Sequence, residues 1–135
     1  MNILVIDAKG GGMGKQLVAN IKQNFPFVTV MAVGTNAAAT LAMNKAGADI
    51  SGTGENSVIV ASRRADIIVG PVGIVIADSM LGEVTRAMAA AVGSSGAKLV
   101  LIPFNHCESI IVGVSSKSPS ELISEAMDVI RRMVS

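Results

Sequence analysis

The chain has 135 residues, 11 basic against 10 acidic, for a net charge of +1, with half of its residues hydrophobic and 16% charged. That balance, with no Trp or Tyr and only three Phe, excludes a nucleic-acid surface built on a basic field or on stacked rings. A lone cysteine, Cys107, excludes an internal disulfide, and the longest apolar region, Ile67–Ala77, is broken by Gly70, Pro71 and Gly73 far short of the roughly 20 residues a membrane span needs. The expectation is one domain over residues 1–135, soluble and cytoplasmic, with neither nucleic acid nor membrane as partner. Charge is sparse against about a quarter in an average domain, so a small monomer would leave apolar surface uncovered. A homo-oligomer is therefore expected.

In chain order, Ile3-Leu4-Val5-Ile6 is a continuous apolar run that suits a strand buried on both faces. Asp7 ends it, and a turn rich in glycine follows, with Gly10, Gly11, Gly12 and Gly14 around Met13, then Lys15. Met13, Leu17, Ile21 and Phe25, with Val18 beside them, mark one face of a helix that Pro26 stops. Val28–Val33 is a second strand closed by Gly34-Thr35-Asn36, where Thr35 or Asn36 can cap a helix running to Ala46, with Gly47 beyond its end. Ala48–Ser51 reads as a short strand or a connector, Gly52-Thr53-Gly54 as a turn, and Glu55–Arg64 as a helix whose Val58, Ile59 and Val60 would also suit a strand.

Asp66–Gly70 is a buried strand ending in Gly70-Pro71-Val72-Gly73. Helix is expected next, in one piece or two: Ile74–Leu81, a break at Gly82, and Thr85–Val92. Ala97–Pro103 is another buried strand, and only six residues separate it from Ile110–Val114, too few for a crossover. That spacing predicts a hairpin with an antiparallel last strand. Ser118-Pro119-Ser120-Glu121 is a capping box for a final helix that buries Leu122, Ile123, Ala126, Met127, Ile130, Met133 and Val134. The fold class is a three-layer α/β/α sandwich, Rossmann-like, with a mostly parallel sheet and an antiparallel C-terminal edge strand.

Such sheets bind ligands beyond the carboxyl ends of their strands. The turns that gather there are Ala8–Gly14, Gly34–Asn36, Gly70–Gly73 and Phe104–Cys107. The glycine turn fails as a dinucleotide fingerprint because Lys15 stands at the third glycine position, and no acid follows the second strand. It fails as a P-loop because it is one residue short and Gln16 replaces the hydroxyl. A variant loop survives both failures: backbone N–H groups of Gly10–Gly14 and the Lys15 side chain hold a phosphate, and the ligand crosses Gly34, Thr35 and Asn36 toward Gly70, Pro71 and Gly73. NAD(P) or another nucleotide is a candidate cofactor and a small phosphorylated molecule the expected partner. Asp7 is read as orienting a ribose hydroxyl, holding a metal-bound water, or accepting from the loop's own N–H groups.

Two other classes compete with this one. Asp78 and Glu83 flank Gly82 as a candidate carboxylate pair, and His106 adds a candidate acid or base, which would make the chain a small enzyme. One Cys and one His that are neighbours cannot complete a zinc site or a nucleophile and base pair. The alternative is a homo-oligomeric assembly module without catalysis.

The segments NILVIDAKGGGMGKQLV, GTNAAATLAMNKAGAD, GTGENSVIV, ADIIVGPVGIVIADSMLGEVTRAMA, KLVLIPFN and SIIVGV together resemble an uncharacterised bacterial family known only as a domain of unknown function. The resemblance implies a Rossmann-like fold and carries no activity with it. Ala8-Lys9 stands where that family more usually has Gly-Gln.

Overall fold

The computed structural model describes residues 1–104, 109–114 and 116–134. Five strands, β1 (Asn2–Asp7), β2 (Thr29–Gly34), β3 (Ile50–Thr53), β4 (Ile67–Pro71) and β5 (Lys98–Ile102), form one sheet in the order β3-β2-β1-β4-β5. Among the described residues the α-helices are α1 (Gly12–Asn24), α2 (Ala37–Lys45), α3 (Glu55–Arg64), α4 (Arg86–Gly93) and α5 (Pro119–Val134). Every strand pairing is parallel, with Ile3 opposite Val30 on one side and Ile67 on the other.

Alternation along β1 sorts the core into two layers. Ile3 and Val5 face Leu17 and Ile21 of α1, Met43 of α2 and Ile123, Met127 and Ile130 of α5. Leu4 and Ile6 face the opposite way, toward Val58 of α3 and Met88, Ala89 and Val92 of α4. Ile3, Leu4 and Val5 are all completely buried, each contributing about 1.5–3 kcal/mol relative to exposure. Among the described residues no helix is long and apolar enough to cross a membrane.

The helix starts follow their side chains. Asn36 caps α2 by accepting from the Ala39 N–H at 2.9 Å, and Thr85 caps α4 by accepting from Met88 at 3.1 Å. Ser118 and Glu121 form the reciprocal box that starts α5.

Two expectations are corrected. The antiparallel edge strand does not exist: residues 110–114 form no strand, and β5, running parallel, is the last strand of the sheet. Ile110 and Val112 are 92% and 94% exposed, so these two side chains are left largely uncovered by the described residues. The helix expected over Ile74–Leu81 is instead a single 3-10 turn, Val72–Val75, followed by consecutive tight turns. Asp78, Met80 and Leu81 take left-handed backbone there, which no helix tolerates.

Candidate functional site

The sheet order reverses between β1 and β4, so the carboxyl ends of these two strands flank the natural crevice of the fold. β1 delivers Asp7 to that edge. Its carboxylate is buried and accepts from the N–H of Ala8 at 2.8 Å and of Gly14 at 2.6 Å, tying the end of the strand to the first turn of α1. Of the three readings of Asp7, these bonds match acceptance from the loop's own amides.

The glycines of the loop fall into two kinds. Gly11 has φ +74°, and a Cβ on it would lie 2.8 Å from the Ala39 backbone; one on Gly14 would lie 2.6 Å from the Met43 sulfur and 2.8 Å from Asp7. These two are required by packing. A Cβ on Gly10 or Gly12 would meet nothing within 4 Å. Both line a cleft of about 280 Å³ whose floor is the loop from Asp7 to Met13 and whose walls are Gln16, Pro71, Met80, Phe104 and Pro119.

The β2 side of the same edge is filled by Glu83. Its Oε1 accepts from the Lys9 N–H at 2.9 Å, the Thr35 hydroxyl at 2.8 Å and the Asn36 amide at 2.7 Å, and its Oε2 lies 3.9 Å from the Lys9 ammonium. Asn36 also donates to the Lys9 carbonyl. Partial burial pushes the Glu83 carboxyl upward, but the bonds from Lys9, Thr35 and Asn36 and the Lys9 charge outweigh it and hold the group below the ordinary glutamate value. Asp78 is engaged elsewhere, with Arg86 at 3.0 Å, so the two carboxylates serve separate partners.

Of the residues singled out from sequence, Asp7, Gly10, Gly11, Gly12, Met13 and Pro71 line the cleft. Gly14 lies behind it, and Lys15 is exposed on α1 outside the lining, its place as the nearby cation taken by Lys9. Gly34 packs against Thr40, Gly70 against the Ile6 carbonyl and Gly73 against Met80, each a close backbone approach inside the fold. Thr35 and Asn36 bind Glu83. His106 and Cys107 lie outside the described residues. Sequence reasoning missed Gln16, Met80 and Pro119 as lining residues. Gln16 is one turn beyond Gly12 on α1, the only one of the three whose position was legible. Among the described residues no three His, Cys, Asp or Glu side chains gather where they would hold a metal.

No curated protein matches the chain. Among solved structures, a dodecameric FMN-dependent UbiX-like decarboxylase from Escherichia coli O157:H7 is similar at 22% identity and a TM-score of 0.48, over 98% of this chain and 76% of that one. A family model described as Domain of unknown function (DUF3842) matches residues 2–135, and the chain belongs to that family.

Proposed function

We propose that the protein binds a nucleotide or another phosphorylated small molecule in the cleft at the end of β1, with the phosphoryl group against Gly10 and Gly12. The observation that carries this reading is the pair of glycines that packing does not require, both in the cleft floor. A missing Cβ at such a place lets a ligand reach the backbone. The N–H groups of Gly12 and Met13 belong to the first turn of α1, beyond the reach of any intrahelical carbonyl, and they favour an anion. Pro71, Met80, Phe104 and Pro119 offer the remainder of the ligand an apolar wall.

Thermal unfolding against millimolar NAD, NADP, ATP, GTP, FMN, coenzyme A and sugar phosphates tests it. A ligand at about a hundred times its dissociation constant stabilises the fold by about 2.7 kcal/mol, a shift on the order of 10 °C. Gly12→Asp is expected to abolish that shift while leaving the unliganded midpoint in place. A flat panel, or a shift that survives Gly12→Asp, overturns the assignment.

A homo-oligomeric assembly module is the second reading, favoured by the exposure of Ile110 and Val112 beyond the end of β5. A monodisperse monomer at micromolar concentration on a sizing column rules it out.

A further inference from the structure

The connection from β4 to α4 does not stay on its own side of the sheet. It turns at Val72–Val75, places Met80 in the wall of the cleft, and carries Glu83 across to the turn that follows β2. The left-handed backbone of Asp78, Met80, Leu81 and Gly82 is held by bonds within the loop, Asp78 N–H to Val84 at 2.9 Å and Val84 N–H to Ser79 at 3.3 Å. Backbone of that kind persists only where its surroundings enforce it.

What Glu83 meets is a set of donors: a backbone N–H, a hydroxyl, a carboxamide and, at 3.9 Å, an ammonium, all directed at one carboxylate. A phosphoryl or carboxylate group from outside would find the same set equally suitable. In sheets of this strand order the turn after the second strand is where a nucleotide's ribose rests, ordinarily on an acid; here Glu83 is tied to protein donors instead. Resting on the reading that the neighbouring cleft takes a phosphoryl group, we propose that Glu83 is an internal anion occupying a second set of anion-binding donors. While Glu83 stands, those donors are closed to a second phosphoryl or carboxylate group.

The test is titration with inorganic phosphate, followed by phosphorus NMR, of the wild-type protein, Glu83→Ala, Glu83→Ala/Thr35→Val and Gly12→Asp. Removing the carboxylate frees its donors, so Glu83→Ala is expected to bind phosphate about tenfold more tightly than the wild type, a gain cut back by adding Thr35→Val. Should Glu83→Ala fail to fold, Glu83→Gln keeps the side-chain volume without the charge and is expected to show a smaller gain in the same direction. A folded Glu83 variant that binds phosphate no more tightly than the wild type overturns the inference, as does a gain indifferent to Thr35→Val. Loss of wild-type phosphate binding in Gly12→Asp reports on the cleft alone, so the two readings fail separately.

Discussion

The two halves of the sheet's carboxyl edge are built on different principles. Over β1 and β2 the polar groups are spent on one another: Glu83 joins Lys9, Thr35 and Asn36, and Asn36 also caps α2 and holds the Lys9 carbonyl. Over β1 and β4 the chain keeps bare backbone, with Gly10 and Gly12 facing a cleft of about 280 Å³. The first half is a joint and the second is a cavity. Polar residues at a strand end are thus a poor guide to binding until their partners are known, whereas a glycine that packing does not demand is a better one.

The sharpest way to break the comparison is through the glycines themselves. Gly11→Ala combines a positive φ with a collision against Ala39 and is expected to cost about 3 kcal/mol, lowering the melting temperature by about 10 °C. The same change at Gly10 is expected to stay within about 0.5 kcal/mol. Equal losses at both positions would erase the distinction between packed and open glycine. Asn36→Ala removes a helix cap and two other hydrogen bonds and is expected to cost about 2 kcal/mol by chemical denaturation, without lowering ligand affinity in the cleft. A loss of affinity with stability intact would move the binding site to the β2 side.

The smallest effect is a dependence on pH. Folding lowers the Glu83 pKa, so the stability it contributes is complete above the ordinary glutamate range and is lost as the pH falls through the lowered value. Glu83→Gln is expected to flatten that part of the acid side of the stability curve. An unchanged acid slope would mean that the joint does not depend on the carboxylate's charge.

Elements whose signals are local were legible in the sequence. The run Ile3–Ile6 announced a strand covered on both faces, and Ser118 with Glu121 announced the start of α5. Residues 110–114 misled because a strand-forming composition says nothing about whether a sheet edge receives it. Residues 74–81 misled because apolar spacing there serves isolated burial, Ile74 and Met80 entering the core from turns rather than from one helical face. The glycine floor of the cleft was visible as a run of four glycines within five residues. The role of Glu83 was not, since its partners lie 74, 48 and 47 residues away and nothing near it in sequence mentions them.

The position of β1 at the centre of a wholly parallel sheet also has a history in time. The first of these five strands to be made is flanked by β2 and β4, and the contact between Asn2 and Asp66 that helps align the second of these spans 64 residues. At a synthesis rate of about 5–20 residues per second, the interval before that flank can close is roughly 3 to 13 s. Throughout it NILVID, without a charge before Asp7, is an unprotected apolar edge on a nascent chain. A strand buried at every residue but Asn2 in the finished molecule thus waits longest of the five for its second neighbour.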